Sequence, residues 1–461
     1  MHIPVNQVKT SSLAPSPFLY QFDIDSDHVA LFHSIDLDLL FMRRQSLASL
    51  SKTIHCGTNN IALLADSKNY DPIFRRKNIF VRNLASEWKK LFTLRESLLG
   101  RPRITMLYLL LTLDCNFRCN YCYLKNTTNG YMSHESAESA IDSFISTSGI
   151  EDRLLIIFYG GEPLLNFTVL KHSVEYATNV CQTYRKKEEL IHFQLVTNGS
   201  LLNTEIVHFL SDHNIPVAVS LDGPQPINDQ QRKYRNGRGS FQDTLRGIHL
   251  LRHNGVKFSI SCTIGDHNLS RLPEVFLWLH RHLGTSEIGL NILQGKPLTP
   301  TNARLINKIT ESIIHCFTIA RDLNIYEQRI MRTVSAFVNK EVYPFDCGGC
   351  GRQIVITPDG SYGPCPAFVS NSDYFRKLPI KDIERDALFI EWSKRSPLMM
   401  DACVRCEAIG ICGGGCAYHA FTESGSIWDL DKRYCIYMKR LLKWLIRDTF
   451  YQIPGYRKGT G

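Results

Sequence analysis

Short apolar runs alternate with amphipathic stretches between about residue 104 and residue 323. The apolar runs have the length and composition of buried strands; they are 105–113, 154–159, 190–197, 215–221, 256–264 and 286–293. Apolar residues recur at helical spacing between and after them, near 133–147, 167–186, 203–213, 241–253, 273–283 and 303–323. Strict alternation predicts a parallel sheet with right-handed crossovers. Six units fit an incomplete barrel better than a closed barrel of eight strands.

The flanking segments have other patterns. The first hundred residues read as a short antiparallel meander, with a turn at 25–27, followed by a mixed helical region. The segment from about 345 to 436 is rich in cysteine and glycine, and 437–450 predicts an amphipathic helix that packs on the protein. We therefore predict an α/β protein with three parts. They are a small α+β N-terminal domain (1–100), a partial (β/α)6 barrel (101–325) and a cysteine-rich domain (326–461).

Size and hydropathy limit the class of protein. With 461 residues, 44% of them hydrophobic, the chain can bury a large core. No apolar run approaches the ~18 residues of a membrane span, so we expect no membrane partner. The first residues lack the charged head and apolar stretch of a signal peptide. We expect a cytoplasmic protein, whose thiols stay reduced and available to metal.

Three cysteines spaced C-x3-C-x2-C follow the first predicted barrel strand: Cys115, Cys119 and Cys122. Three thiolates on one loop can hold three irons of a [4Fe–4S] cluster and leave the fourth iron open to a small molecule. Structural zinc sites normally close with four ligands, and no fourth Cys or His lies at zinc-finger spacing. A disulfide framework would need an oxidising compartment. Zinc binding and unligated cysteines stay the alternatives.

At this spacing the sequence resembles the radical SAM superfamily, in which the open iron binds S-adenosylmethionine. The resemblance implies that Tyr121 lies near the adenine, whereas the alternative is an aromatic side chain that only packs the loop. Gly160-Gly161-Glu162-Pro163, after the second strand, is similar to the family segment that grips the methionine amino group. Glycine allows close approach of a ligand, and a carboxylate or carbonyl accepts hydrogen bonds from an ammonium group.

Two further strand ends match looser features of the family. Ser220 and Asp222 follow the fourth strand and Asn198 follows the third. By resemblance these side chains would meet the ribose hydroxyls and the methionine carboxylate, although Asn-Gly and Asp-Gly are also common turn sequences. Arg232 and Arg235 could face the cofactor or a peptide, but we expect them in a solvated loop.

The cysteine-rich tail matches the SPASM extension, with Cys350-x9-Gly360-x4-Cys365 followed by C-x2-C-x5-C-x3-C and a last cysteine. The resemblance implies two auxiliary [4Fe–4S] clusters, an inner one on Cys347, Cys350, Cys365 and Cys416 and an outer one on Cys403, Cys406, Cys412 and Cys435. Full thiolate ligation favours electron transfer over substrate ligation. Without Cys347 the inner cluster would have an open iron that could bind substrate. A zinc ribbon is the alternative for the tail, and Cys56, Cys181, Cys262 and Cys316 are expected to be buried apolar residues.

The formal charge of +9 treats every cysteine as neutral. Three oxidised clusters on eleven thiolates would contribute about −5 and leave about +4. The basic residues form no long run, so we expect no nucleic-acid partner.

The resemblance covers about residues 104–440 and implies reductive cleavage of S-adenosylmethionine to a radical that takes hydrogen from a C–H bond. Substrates of the SPASM group are mostly peptides or proteins. We therefore expect a maturase that installs a C–C, C–O or thioether crosslink in a ribosomally made precursor peptide. A flavodoxin- or ferredoxin-type protein would supply the electron. The N-terminal domain is similar to the small, sometimes peptide-binding module of such enzymes, or is a structural cap.

Two other functions stay open. The first is an anaerobic sulfatase-maturing enzyme, which oxidises Cys or Ser to formylglycine. In those enzymes an aspartate thought to be the base follows the cysteine of Gly-x4-Cys, but here Pro366 follows Cys365 and offers no acid–base group. Asp359 precedes the cysteine and is expected to point elsewhere, so no catalytic base is assigned. The second is a non-catalytic iron–sulfur electron carrier or redox sensor, which would leave the barrel and the Gly-Gly-Glu-Pro segment without a purpose.

Overall fold

The computed structural model describes residues 14–50, 79–81, 83–124, 130–149, 151–181, 188–292, 300–377 and 383–456. Its strands are β1 (Ala14–Pro15), β2 (Leu19–Asp23), β3 (His28–His33), β4 (Leu39–Arg43), β5 (Phe80–Val81), β6 (Met106–Thr112), β7 (Leu154–Gly160), β8 (Ile191–Thr197), β9 (Val217–Ser220), β10 (Phe258–Ile264), β11 (Glu287–Ile292), β12 (Tyr326–Glu327), β13 (Gln353–Ile356), β14 (Ser361–Gly363) and β15 (Arg376–Lys377). Its α-helices are α1 (Arg44–Leu50), α2 (Leu84–Ser97), α3 (His134–Ser146), α4 (Phe167–Val180), α5 (Thr204–Asp212), α6 (Gln225–Gln231), α7 (Phe241–His253), α8 (Leu272–Leu283), α9 (Pro300–Asp322), α10 (Gln328–Asn339), α11 (Ala387–Ser393), α12 (Ile409–Cys412), α13 (Ala417–Ser424) and α14 (Lys432–Gln452).

The largest sheet contains the predicted barrel strands. Its order is β12-β11-β10-β9-β8-β7-β6-β13-β14-β15, and β6 to β11 are parallel, each beside its successor. The prediction of six parallel strands in an α/β protein is confirmed. The predicted helix at 167–186 is too long, because α4 ends at Val180; residues 182–187 lie outside the described part.

Two edge strands lengthen this sheet beyond the prediction. β12 pairs in parallel with β11, and β13 pairs in parallel with β6, with Gln353 opposite Met106. β13 belongs to the cysteine-rich tail, so the sheet crosses the predicted division between barrel and tail. The division into three domains stays a prediction.

A separate three-stranded antiparallel sheet in the N-terminal part has the order β2-β3-β4. The backbone amides of Asp27 and His28 both donate to a carboxylate oxygen of Asp25 at 2.8 Å, which forms the predicted turn. One face packs on the tail, where Phe32 stacks on Phe337 of α10 with ring centroids 5.9 Å apart.

The last helix, α14, packs its apolar face on the protein as predicted. Trp444 meets Phe317 of α9 edge to face at 5.6 Å, and Arg440 donates to Asn307 at 3.0 Å. Among the described residues, no helix is long and apolar enough to cross a membrane.

Candidate active site and cysteine clusters

The cysteine loop after β6 borders a cavity of about 480 Å³ inside the barrel. Cys115, Cys119 and Cys122 all line it, near the carboxyl ends of the strands, where barrels carry their chemistry. Burial raises the pKa of Cys115 to about 12 and that of Cys119 to about 11. These thiols would lose their protons on binding a metal. Arg235 is more than half exposed, as expected, and its Nε donates to the Cys115 carbonyl at 2.9 Å.

Gly160 and Gly161 hold the end of β7 against the segment that leads into this loop. The amide of Gly161 donates to the Thr112 carbonyl at 2.8 Å, and the amide of Glu162 donates to the Asp114 carbonyl at 2.8 Å. A Cβ atom on Gly161 would lie 2.0 Å from the Asp114 oxygen, and Gly160 has a φ of +128°. Both positions therefore require glycine, and both glycines line the cavity.

The Glu162 carboxylate lies behind the cavity wall. Its side chain is fully buried and accepts hydrogen bonds from Thr197 Oγ1 at 2.6 Å, the Asn198 amide at 2.8 Å and the Leu164 amide at 3.1 Å. Burial raises the pKa of Glu162 to about 7, although the three hydrogen bonds act to lower it. The carboxylate thus joins the carboxyl ends of β7 and β8.

A buried ion pair positions two side chains of the cavity wall. Asp222 is fully buried and accepts from the Tyr121 hydroxyl at 2.6 Å and from the Thr263 amide at 3.0 Å. Arg232 Nε lies 3.1 Å from Asp222, and its guanidinium stands 5.4 Å from the Tyr121 ring centroid. Burial acts to raise the pKa of Asp222, but Arg232 holds it below its usual range. The expectation of a solvated loop is wrong for Arg232, because Asp222 compensates its charge in the interior.

Ser220 and Asn198, two other predicted contacts, line the cavity. The Asn198 amide donates to Asn116 Oδ1 at 2.8 Å, and its oxygen accepts from the Ser200 hydroxyl at 2.7 Å. Asn198 therefore connects the end of β8 to the cysteine loop. Of the predicted cofactor contacts, Tyr121, Gly160, Gly161, Asn198 and Ser220 line the cavity, whereas Glu162 and Asp222 support residues that do.

Sequence reasoning missed several residues of the cavity wall. They are polar strand residues and tyrosines that face the cavity, together with one arginine: Tyr108, Tyr123, Tyr159, Gln194, Ser259, Ser261, Thr263, Asn291 and Arg329. The sequence did contain a signal for some of them. In β10, polar residues recur at every second position, which places them on one face of the strand.

Three tyrosines lie between the cysteine loop and the tail. The hydroxyls of Tyr123 and Tyr159 are 3.1 Å apart, and Tyr108 meets Tyr159 edge to face at 5.8 Å. Burial raises the pKa of all three phenols, so they are neutral at pH 7. Tyr123 lies within electrostatic range of both Cys122 and Cys365.

The tail cysteines fall into two groups, within each of which the thiols lie close enough to shift the pKa of a neighbouring thiol. The inner quartet is Cys347, Cys350, Cys365 and Cys416, and the outer quartet is Cys403, Cys406, Cys412 and Cys435. These are the same two sets that the SPASM resemblance implies. Cys181, Cys262 and Cys316 are fully buried, as predicted, and Cys56 lies outside the described residues.

Cys347 is the exposed member of the inner quartet. A hydrogen bond from the Cys350 thiol lowers the pKa of Cys347, so these two thiols are neighbours, and ligation by Cys347 stays a prediction. Cys347 also lines a second cavity, of about 690 Å³. This cavity shares Tyr108, Ile292 and Arg329 with the barrel cavity, so the two are neighbours across those side chains.

The described cysteine thiols form no compact site for a single zinc ion. Tetrahedral zinc with Zn–S bonds of ≈ 2.3 Å brings thiolates to about 3.8 Å from one another. Among the described residues, no three cysteine thiols come within 4.8 Å of one another.

One other group of potential ligands occurs in the described part of the chain: His33, Asp36 and Glu87, within 4.8 Å of one another. The ammonium of Lys90 is 2.6 Å from Asp36 and 2.9 Å from Glu87, while His33 Nε2 is 2.8 Å from Glu87. A protein cation already neutralises this group, so we interpret it as a structural ion-pair network.

Comparison with known proteins agrees with this geometry. The model of the Radical SAM superfamily matches residues 109–279, which include the cysteine loop and most barrel strands. The chain contains a radical SAM domain. A relative over almost the whole length is the radical SAM cyclopropyl synthase TigE of Paramaledivibacter caminithermalis, 23% identical over 95% of this chain and 97% of that protein.

Two further comparisons concern sulfatase maturation. The cysteine-type anaerobic sulfatase-maturating enzyme of Clostridium perfringens is 24% identical over 72% of this chain and 93% of its own length. The solved structure of native anSMEcpe with bound AdoMet and Cp18Cys peptide has a TM-score of 0.65 at 20% identity, over 76% of this chain and all of that chain. This structural likeness supports the fold.

Residues 109–279 therefore form a radical SAM domain, and proteins of that superfamily use S-adenosylmethionine and a [4Fe–4S] cluster. Cys115, Cys119 and Cys122 have the spacing and position to hold that cluster. The assignment of each further contact belongs to the proposal that follows.

Proposed function

We propose that this radical SAM enzyme is a peptide maturase that installs a C–C, C–O or thioether crosslink in a ribosomally synthesised peptide. Three clusters would serve the reaction, one on the cysteine loop and one on each tail quartet. When bound, the first cluster and S-adenosylmethionine would supply a 5′-deoxyadenosyl radical that takes hydrogen from a substrate C–H bond. In every other step the residues of the chain would bind the peptide, orient it and exclude water.

The barrel cavity supports the positions of the cofactor contacts. Tyr121 would lie near the adenine, with its hydroxyl fixed by Asp222. The backbone of Gly160 and Gly161 would accept from the methionine amino group, with Glu162 holding that segment. Ser220 and Asn198 would contact the ribose or the methionine carboxylate, since both line the cavity.

The chemistry of the cavity wall carries the choice between crosslinking and formylglycine formation. Among the described residues that line the barrel cavity, none is Asp, Glu, His or Lys. The phenols there have raised pKa values, and the cavity arginines, Arg232 and Arg329, cannot act as bases at neutral pH. A base must lie within hydrogen-bond reach of the proton that it removes. A side chain that must lose a proton before oxidation to an aldehyde finds no carboxylate base in the barrel cavity. The neighbouring cavity does contain Asp346 and Asp431, and both carboxylates already accept hydrogen bonds from Tyr434, from its hydroxyl and its amide respectively.

The turn after the inner quartet agrees with this argument. Pro366 begins a short 3-10 helix directly after Cys365. Asp359 is 62% exposed, pairs with Lys377 and accepts from Thr357 at 2.6 Å. It does not line the barrel cavity.

The two neighbouring cavities support a peptide as substrate. The larger is lined by tail residues and adjoins the barrel cavity across Tyr108, Ile292 and Arg329, which offers room for an extended segment. TigE and the sulfatase-maturating enzyme are relatives of this chain, and anSMEcpe has been solved with bound peptide. A flavodoxin- or ferredoxin-type donor would deliver the electron. The relation to the sulfatase-maturating enzyme keeps formylglycine formation as the second candidate.

Two measurements on anaerobically reconstituted protein test the proposal. The first is iron content, expected at about twelve per chain and about eight after Cys115, Cys119 and Cys122 are replaced by Ala. About four irons in the unmutated protein would contradict the auxiliary clusters. The second readout is 5′-deoxyadenosine. If the unmutated protein produces it and the triple variant does not, the protein is an enzyme and not an electron carrier.

The second measurement is mass spectrometry of two peptides after incubation with S-adenosylmethionine and a reductant. One is a synthetic peptide copied from any short open reading frame found beside this gene, and the other is a sulfatase-type peptide. We expect the first to lose two hydrogens per crosslink and the second to remain unchanged. Aldehyde on the sulfatase peptide would overturn the crosslinking assignment.

A further inference from the structure

Arg395 is a fully buried arginine in the tail, two residues after the end of α11. Its guanidinium donates to backbone carbonyls: to Gly414 and Gly415 at 3.1 Å each, to Asp429 at 3.5 Å and to Ile427. Among the described residues, no carboxylate lies within 4.0 Å of it. In the described part of the chain, its hydrogen bonds therefore all go to backbone carbonyls.

The position of this cation is between the two quartets. Gly414 and Gly415 connect Cys412 of the outer quartet to Cys416 of the inner quartet. Gly413, Gly414 and Gly415 all have positive φ, at 68°, 88° and 66°, a conformation that favours glycine. This turn presents two successive carbonyls to one guanidinium.

The chain segment that joins the two groups holds Arg395 in place. Its guanidinium donates to the carbonyl of Gly414, two residues after Cys412, and to that of Gly415, directly before Cys416. A buried charge is costly unless it is paired. Among the described groups, the cysteines are the ones that would become anionic on cluster binding.

We propose that Arg395 is a shared counter-cation of the two auxiliary clusters and raises the reduction potential of both. An oxidised four-thiolate cluster carries a charge of −2 and its reduced form −3. A fixed positive charge stabilises the reduced form more than the oxidised form. The residue would thereby make each cluster a better acceptor for the one electron that a substrate carbon radical loses when it is oxidised. This inference rests on the proposed auxiliary clusters and is independent of which peptide is modified.

The test compares Arg395→Gln with Arg395→Lys in full-length, reconstituted protein. Both are made in the variant without Cys115, Cys119 and Cys122, so that only auxiliary signals remain. The readouts are iron content and the reduction potentials from redox titration followed by electron paramagnetic resonance. Arg405→Gln is the control, since Arg405 lies between Cys403 and Cys406 but is exposed to screening solvent.

We expect Arg395→Gln to keep about eight irons and to decrease the equilibrium constant for reduction of both clusters about tenfold, which is a shift of 59 mV for one electron. Arg395→Lys and Arg405→Gln should stay close to the parent. If Arg395→Gln loses iron while Arg395→Lys keeps both iron and potentials, the charge is still the property that matters.

Three results would overturn the inference. They are unchanged potentials in an iron-loaded Arg395→Gln variant, a shift at one cluster only, and loss of iron from both Arg395 variants. Loss of iron from both variants would mean that Arg395 only stabilises the glycine turn. About four irons in the unmutated protein would instead refute the auxiliary clusters themselves, so the two failures are distinguishable.

Discussion

Replacing Gly161 with Ala should remove the first cluster and leave the two proposed tail clusters in place. A Cβ atom there would lie 2.0 Å from the Asp114 carbonyl oxygen, 2.5 Å from its carbon and 2.9 Å from the Leu113 oxygen. All three are backbone atoms of the segment that enters the cysteine loop, so rotation of a side chain cannot relieve the contact. Non-bonded carbon and oxygen atoms need more than about 3 Å, so one segment must move by about 1 Å or more.

The size of the effect follows from these contacts. Overpacking typically costs about 1–3 kcal/mol, and the opposing backbone places this substitution near 3 kcal/mol. The movement would also disturb two hydrogen bonds of 2.8 Å, from Gly161 to Thr112 and from Glu162 to Asp114. β7 is hydrogen-bonded on both sides within the sheet, so the cysteine loop should take up most of the displacement.

The assay measures iron, 5′-deoxyadenosine and thermal unfolding in two variants. Gly161→Ala should hold about eight irons in place of about twelve and should not cleave S-adenosylmethionine. Gly100→Ala is the matched control, because nothing lies within 4 Å of its added Cβ. Full iron content and parent-like cleavage in Gly161→Ala would refute the argument that close approach of backbone shapes the cluster loop.

Three substitutions test other buried contacts by chemical denaturation. Glu87→Gln should lower the free energy of unfolding at pH 7 by about 3 kcal/mol. The reason is that hydrogen bonds from His33, Ser16 and Lys90 lower the pKa of Glu87 to about 2, although burial acts to raise it. That folded pKa is below the unfolded value, so the advantage of the parent should persist above about pH 4.5 and disappear as the pH falls to about 2. Asp222→Asn should cost about 3–5 kcal/mol, because Arg232 loses its buried partner. Phe337→Ala should cost about 3 kcal/mol and loosen the N-terminal sheet towards proteolysis, because Phe337 is 8% exposed and stacks on Phe32.

Exposed neighbours provide the controls. Glu96→Gln is the control for Glu87→Gln, because Glu96 is exposed on the same helix. Val338→Ala is the control for Phe337→Ala, because Val338 follows Phe337 in α10 and is 67% exposed. Each should change stability by less than about 0.5 kcal/mol. A Glu87→Gln variant that keeps the acid dependence of the parent would mean that another carboxyl group causes it. Equal proteolysis of Phe337→Ala and Val338→Ala would count against docking through Phe32.

Local patterns in the sequence were sufficient for most of the barrel. Each strand from β6 to β11 is an apolar run between helical segments, so its burial and its neighbour follow from the order of elements along the chain. The cysteine loop and the Gly-Gly-Glu-Pro segment follow adjacent parallel strands, which brings them to the same edge of the sheet. Their proximity could therefore be expected before any coordinates.

The unpredicted features depend on contacts between distant parts of the chain. β13 has only four residues, and its pairing with β6 joins Gln353 to Met106 across most of the barrel sequence. Arg232 lies in a polar stretch that resembles a solvated loop, and only its contact with Asp222 explains its burial. The hydrogen bonds of the Glu162 carboxylate likewise depend on a distant segment, because Thr197 and Asn198 donate to it from the end of the next strand.

The pairing of β13 with β6 determines where the inner quartet lies relative to the cysteine loop. Cys350 comes three residues before β13, whose first residue pairs with Met106 at the start of β6, while Cys115 comes three residues after β6 ends at Thr112. The six steps between the seven residues of β6, at ≈ 3.3 Å each, separate its two ends by about 20 Å. Tyr108, inside β6, lines both cavities between them. Backbone hydrogen bonds of a continuous sheet therefore fix the two cysteine sites on either side of the space proposed for the peptide. A substrate radical formed there would have the auxiliary site at a set distance, which a flexible linker between separate domains could not provide.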